Sequence, residues 1–399
     1  MPWPVSRLDE VANVVAGNPA PQDPTDFVEG GHLFIRMQDV GREHRTANIR
    51  VSVDRVSTEA VAKYRLRLFP SGSVLIPKSG ASVNLNHRAM LGCDAYVVSH
   101  LAVIVPNQKM LLSEYLYYWS LSYDPRNQAQ TTSLPSLPLS LIKAASIPIP
   151  PFPEQRRIVD LLSRAEGIVR LRREAARCAA ELIPALFLDL FGDPATNPQA
   201  WPVVCLGELI SDGPQNGLYK HSSMYGDGTP ILRIDAFYDG QVSDLKALKR
   251  LRATEAERNK FRLKSRDIVI NRVNSVEYLG KSAIIPPLGE ETVFESNMMR
   301  FAVDETRVVP EYVIEFLQTG FAKAHFLANA KHAINQSSIN QQDVTSLRVP
   351  VPPLGLQQNF AERVEQVRSI QSQQSAATAK AQAAFDALLA RCFAQPTSA

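Results

Sequence analysis

A chain of 399 residues exceeds what one compact core holds and predicts two or more domains. Lys and Arg total 43 against 40 Asp and Glu, a net charge of +3 that does not by itself mark a nucleic-acid binder. Cys93, Cys178, Cys205 and Cys392 are scattered without C-x-x-C or metal-ligand spacing, which fits a reduced cytoplasmic setting. No basic-then-apolar leader is evident, and no segment approaches about 18 uninterrupted apolar residues, so neither secretion nor a membrane partner is expected.

In chain order, WPVSRLDEV at Trp3 to Val11 opens a first segment, 1–146. Apolar, β-branched runs at Ser73 to Ile76 and Val97 to Val105, bounded by Gly, Pro, Asn and Ser, predict strands, and Ser113 to Ser120 predicts a local helix. The proline turn IPIPP at Ile147 to Pro151 cannot continue a ladder and favours a helix start. Beyond it, within 147–192, a 3-4 spacing picks out Ile158, Leu162, Ala165, Val169, Arg172, Ala176, Ala179, Ile183, Leu186 and Leu190. Pro184 should kink or break this helix, and Gly167 is a smaller blemish.

The chain then repeats itself. WPVVCLGEL at Trp201 to Leu209 answers the N-terminus at an offset of 198. Within 193–348, Leu232-Arg233 answers Ile35-Arg36 and Glu311-Tyr312-Val313 answers Glu114-Tyr115-Leu116 at 197, while DIVINRVNS at Asp267 to Ser275 answers SVLIPKSGA at Ser73 to Ala81 at 194. Strands are predicted at Asp267 to Ile270 and Arg300 to Val303, with a helix over Pro310 to Leu317. From VPVPP at Val349 to Pro353 through 349–399 the offset holds at 202, so ALFLDLF (Ala185 to Phe191) is matched by ALLARCF (Ala387 to Phe393). The second stripe reads Phe360, Val364, Val367, Gln371, Gln374, Thr378, Ala381, Phe385, Leu388 and Cys392, polar in its middle.

Surface loops absorb insertions, whereas a helix paired with its twin cannot change length alone. Each stripe on its own could simply face its own domain, but matched length favours mutual pairing as a coiled-coil seam. The short connector Gly192 to Ala200 then makes the second helix run back. The expectation is an α+β chain: two globular mixed α/β domains in pseudo-two-fold tandem repeat, separated by a pair of long helices in an antiparallel coiled coil. Helices of about 38 residues span about 57 Å at 1.5 Å per residue; were both domains to contact DNA, that length would cap the separation of the two sites near about 17 base pairs.

The duplicated layout, the proline turn followed by Glu154-Gln155-Arg156-Arg157-Ile158-Val159, and the exit LFLDLFGDP (Leu186 to Pro194) resemble type I restriction-modification specificity subunits. GTPILRI (Gly228 to Ile234), LKSRDIVINR (Leu263 to Arg272), ESNMMRF (Glu295 to Phe301) and NQSSINQQDV (Asn335 to Val344) are similar to that family's target-recognition domain, and the resemblance spans essentially the whole chain. The second copy reads Leu356-Gln357-Gln358-Asn359-Phe360, keeping Gln357 in a looser match. The resemblance implies two target-recognition domains in a non-catalytic subunit. That subunit would carry two methyltransferase subunits, and restriction subunits in the full complex, to a bipartite site in double-stranded DNA. S-adenosylmethionine, ATP and Mg would belong to those partners, with no cofactor in this chain.

Base reading needs Arg or Lys for guanine and Asn or Gln for adenine, offered from loops. The candidates are Lys78, Asn84, Asn86, His87 and Arg88 after one matched strand, and Asn271, Arg272 and Asn274 after the other. Earlier loops add Arg36, Gln38, Lys220 and His221, and Lys331, His332 and Gln336 lie late in the second copy. Asn and Gln in loops also serve as plain turn formers, and Arg36 with its match Arg233 equally suits a structural ion pair. Lys246 to Arg266, which includes Lys260, is locally basic against only Glu255 and Glu257 and suits phosphate contacts or a solvated helix face. A weaker counterpart comprises Arg42, His44, Arg45, Arg50, Arg55, Lys63, Arg65 and Arg67.

Two rival classes remain. A self-contained methyltransferase would need Asn or Asp before Pro150-Pro151-Phe152, where Ile149 stands, and Gly280-Lys281-Ser282 lacks the earlier glycine of a phosphate loop, having Ser275. Asp267 could hint at a nuclease, but its match is Ser73. A coiled-coil scaffold without DNA specificity would need only the helices.

Overall fold

The computed structural model describes residues 3–42, 48–80, 82–125, 136–333 and 336–393. The strand answering the N-terminal motif is closed by the strand that leads into the proline turn. In the first copy Val5–Arg7 pairs antiparallel with Ser146–Pro148, with Val5 opposite Pro148. In the second, Val203–Cys205 pairs with Arg348–Pro350, with Val203 opposite Pro350. The two repeated motifs at opposite ends of each segment are therefore one local structure.

The chain forms two units, Met1–Arg173 with Ala376–Ala399, and Glu174–Ser375. In the first, a sheet runs in the order Ala12–Ala16, Leu101–Pro106, Val74–Pro77, Ala89–Met90. A second sheet has Phe27–Ile35 between Arg55–Val56 and Tyr96–Val97. In the other unit the corresponding order Ile210–Asn216, Met298–Val303, Ile268–Asn271 extends through Ser282–Ile284 and Gly240–Val242 to Phe237–Tyr238. Tyr225–Leu232 lies between Lys249–Leu251 and Val293–Phe294. The central strands Val74–Pro77 and Ile268–Asn271 are buried throughout, as uninterrupted apolar runs require. Gly17 and Gly217 have no room for a side chain: a Cβ would collide with the Val98 and Glu295 carbonyls respectively.

The predicted local helices are Ser113–Ser122 and Pro310–Gln318. The expected strand Val97 to Val105 divides into Tyr96–Val97 and Leu101–Pro106 around a turn. Gly320–Asn329 adds a helix not anticipated, started by Thr319, whose Oγ1 accepts from the Ala322 N–H.

Both long helices have 40 residues, Phe152–Phe191 and Leu354–Phe393, and all stripe positions are buried or half-buried. In the first unit Arg173 Nη2 donates to Gln382 Oε1 at 2.8 Å, and Ile158, Leu162 and Val169 share a core with Phe385, Leu389 and Phe393. In the second, Gln371 Nε2 donates to the Ala179 carbonyl at 2.7 Å, while Phe187 and Phe191 pack edge-to-face with Phe360, centroids 5.9 and 5.2 Å away. As one helix's numbering rises in each unit, its partner's falls, so the segments pair antiparallel. Gln371, in the polar centre of the second stripe, thus pairs by hydrogen bonding where an apolar side chain is missing. Of the two outcomes expected at Pro184, a kink or a break, the break does not occur, and the helix runs through it. The cost of its missing N–H is offset by burial of Ile183, Phe187 and Phe191 on the same turns.

Candidate nucleic-acid interface

In the second copy the chain leaves strand Ile268–Asn271 and forms a small sheet in which Val273–Asn274 pairs with Gln336–Ser338, which pairs in turn with Lys331–Ala333. Candidates far apart in sequence, Arg272, Asn274, Lys331 and Gln336, are thereby brought together. Lys331 and Gln336 are exposed. Arg272 is half-buried; its Nη1 donates to the Ser296 carbonyl at 3.2 Å, and its N–H to the Asn297 carbonyl at 2.9 Å. Asn274 Oδ1 accepts from the Ser275 N–H at 2.8 Å, the turn-forming role open to any loop Asn. His332 pairs through its backbone, and its side chain lies outside the described residues. Asn271 is a correction: it is fully buried, with Nδ2 on the Tyr278 carbonyl at 3.4 Å, so it supports the loop from beneath.

Lys220, His221 and Lys260 form a second group. Lys220 Nζ pairs with Glu257 Oε1 at 2.7 Å, and that ammonium, followed by the Thr254 backbone, holds the Glu257 carboxyl below its usual range. Glu257 also closes the capping box that starts helix Glu255–Phe261. His221 Nδ1 accepts from the Ser223 N–H at 3.3 Å. The exposed Lys260 is tied in through its carbonyl, which accepts from Gln215 Nε2 at 2.8 Å. The Ser296-Asn297 turn joins the groups: the Ser296 N–H donates to the Leu218 carbonyl at 3.0 Å on one side, and its carbonyl receives Arg272 on the other.

The first copy repeats the arrangement. Lys78 is half-buried, its N–H donating to the His100 carbonyl at 3.0 Å and its carbonyl accepting from the Leu137 N–H at 2.8 Å. Ser79 bridges Ser136, and Ser79 Oγ lies 2.7 Å from His100 Nδ1. Neither the Ser99-His100 turn nor the Ser296-Asn297 turn supplied a candidate base reader from sequence, although the motif ESNMMRF (Glu295 to Phe301) contains the second; the polar pair Ser99-His100 interrupting the apolar run Val97 to Val105 was the available signal for the first. The side chain of Tyr219, 76% exposed beside Lys220, was also missed.

Asn84 is exposed on the short helix Ser82–Leu85, and Gln38 is exposed on Met37–Arg42. The half-buried His87 ring lies beside Gly41. Asn86 adopts φ 52° and accepts from Arg88 Nη2 at 2.6 Å. Arg88 is the second correction: it is 1% exposed and donates to the Ser120, Tyr123 and His87 carbonyls. It thus satisfies carbonyls left open where helix Ser113–Ser122 ends. Arg36 is ion-paired with Asp54 and lies 5.1 Å over Phe27; Arg233 lies 3.6 Å from Glu295 and 5.8 Å over Tyr225. The matched arginines therefore make structural ion pairs, though with different carboxylates.

The basic run Lys246 to Arg266 is largely charge-paired. Arg250 meets Glu290 at 2.5 Å, Arg258 and Arg262 approach Glu291 at 3.4 and 3.6 Å, and Arg266 contacts Glu305 and Glu311 at 2.9 and 2.7 Å. Among the described residues Lys246, Lys249, Arg252 and Lys260 make no ion pair. In the first copy Arg42 pairs with Asp39 at 2.5 Å and Lys63 with Asp26 at 3.3 Å, while His44 and Arg45 lie outside the described residues.

The family model described as "Type I restriction modification DNA specificity domain" matches residues 1–175 and again 198–380. The EcoKI specificity subunit of Escherichia coli K12 is 26% identical over 360 residues, covering 84% of this chain and 76% of that subunit. The StySPI specificity subunit of Salmonella potsdam is 26% identical over 315 residues, 72% of this chain and 66% of its own length. A putative MjaX specificity subunit of Methanocaldococcus jannaschii is 30% identical over 164 residues, 41% of this chain; the chain spans only 38% of that relative. Among solved structures, the type I restriction-modification S subunit of M. genitalium superposes with a TM-score of 0.55 at 14% identity, covering 99% of this chain and 97% of that one. A chain from a type I R-M system solved for its complex assembly and conformational transition gives 0.61 at 19% identity, covering 98% and 97%. These two likenesses concern the fold.

Proposed function

This chain belongs to the type I restriction-modification DNA specificity family, and from that premise we propose that it is the sequence-reading subunit of a type I restriction-modification enzyme. The observation that carries this reading is the pair of equivalent turn-centred loop clusters, one in each unit, built on matched strands but presenting different side chains. Lys78, Ser79 and His100 in one correspond to Arg272, Val273 and Asn297 in the other, so each would read its own half-site. Segments 1–146 and 193–348 are the recognition domains, and 147–192 and 349–399 are the spacers. Equal helix lengths would set the distance between half-sites.

Catalysis is assigned to partners. Pro150-Pro151-Phe152 serves as the start of a helix, with the Pro150 carbonyl accepting from Gln155 Nε2 at 2.9 Å. Methyltransferase and restriction subunits would bring S-adenosylmethionine, ATP and Mg. Exposed apolar side chains on the long helices offer such partners docking positions: Leu161, Ile168 and Leu171 in the first unit, and Leu182, Leu188 and Ile370 in the second. No helix among the described residues is long and apolar enough to cross a membrane. The test is selection of random duplexes by the chain in complex with its methyltransferase partner. A bipartite motif is expected, and recovery without sequence preference would favour the scaffold reading.

A further inference from the structure

Helix Glu255–Phe261 carries the Lys220 contact through Glu257, and three arginines, one on the helix and two flanking it in sequence, are held by a neighbouring acidic turn. That turn, Gly289-Glu290-Glu291-Thr292, is fixed in place: the Leu263 N–H donates to the Thr292 carbonyl at 2.9 Å, and Arg262 bridges Val293. Arg250 grips Glu290 as a fork, Nη1 at 3.0 Å and Nη2 at 2.5 Å. Glu291 spans Arg258 and Arg262 more loosely, at 3.4 and 3.6 Å. All five side chains are substantially solvent-exposed.

A fork grip on two oxygens is also how arginine holds a phosphate, and exposed ion pairs of this kind contribute only about 0–1 kcal/mol each. Resting on the DNA-reading assignment above, we propose that Glu290 and Glu291 are placeholders for backbone phosphates on Arg250, Arg258 and Arg262. The two carboxylates keep the guanidiniums oriented while cancelling most of their charge. Any duplex seated on this face must displace them before its phosphates reach the guanidiniums, whatever its sequence. The clip therefore lowers backbone affinity on cognate and non-cognate DNA alike. The first copy has a different turn there, Leu91-Gly92-Cys93-Asp94-Ala95, in which Asp94 Oδ1 is occupied by the Ser71 N–H at 2.8 Å. The effect should thus belong to the second half-site.

The experiment uses the full complex with its methyltransferase partners, titrated with a non-cognate duplex over a salt series. E290Q/E291Q, an isosteric change at an exposed turn, should tighten non-cognate binding by about tenfold or more at low salt and steepen the log K against log salt slope by about 1 to 2. Cognate affinity should tighten by a similar factor, because phosphate contacts carry no sequence information, with first half-site discrimination unaltered. Adding R250Q/R258Q/R262Q should remove the gain. Unchanged non-cognate affinity and slope, tightening on only one of the two duplexes, or a gain that survives loss of the arginines would overturn the proposal. If the unaltered complex still selects a bipartite motif, any of those results defeats the placeholder alone; if it selects none, the DNA-reading assignment itself has failed.

Discussion

Gln357→Ala should destabilise the second unit by about 2–4 kcal/mol, seen as a lower denaturation midpoint in urea. Gln357 is fully buried in the first turn of its helix. Its Oε1 accepts from the Val309 N–H at 2.9 Å, and its Nε2 donates to the Pro352 carbonyl at 2.7 Å. That Val309 N–H stands at the start of helix Pro310–Gln318, where no helical acceptor exists. Truncation would leave a donor and an acceptor dry, each costing about 1–3 kcal/mol. Gln155 makes the same clamp in the other unit, accepting from the Leu112 N–H at 2.9 Å and donating to the Met110 carbonyl at 2.8 Å. Gln155→Ala should shift the first unit comparably. A change below about 0.5 kcal/mol in both would show that water replaces the clamp.

Lengthening one long helix alone should abolish specific binding, whereas lengthening both should alter only the spacer. Seven residues inserted after Ala175 add about 10.5 Å and push every later seam residue past its partner. Burial of Ile183, Phe187 and Phe191 against Phe360 and Val364 is then lost in the second unit. Large apolar truncations in such cores cost about 3–5 kcal/mol apiece, so a shifted seam cannot be tolerated. The same insertion after Ala377 as well restores equal lengths and nearly the same facing, since seven residues drift only about 20°. The selected motif should then keep both half-sites with a spacer about 3 base pairs longer, at about 3.4 Å each. A doubled insertion that left the spacer unchanged would remove the helices from the measuring role.

The helices were legible because their constraint is local and doubled: apolar residues at 3-4 spacing, a proline turn before each, and a constant offset. Gln155 and Gln357 were visible as matched letters, but their purpose required seeing the Leu112 and Val309 N–H groups arrive from over forty residues away. The site was less legible. Arg88 and Asn271 looked like base readers because burial is not written in a loop's composition, and both complete hydrogen bonds inside the fold. The basic run looked stronger than it is because Glu290, Glu291, Glu305 and Glu311 come from other parts of the chain. His100 was hidden inside a run that read as a strand, and Asn297 lay in the quoted motif ESNMMRF with nothing in the sequence to mark it as the centre of a turn.

Exchange of residues 1–146 for the recognition domain of another family member, followed by selection of bound duplexes, tests the two-reader claim most directly. One half-site should change completely while the other half-site and the spacer persist. A change in both half-sites, or in neither, would contradict it.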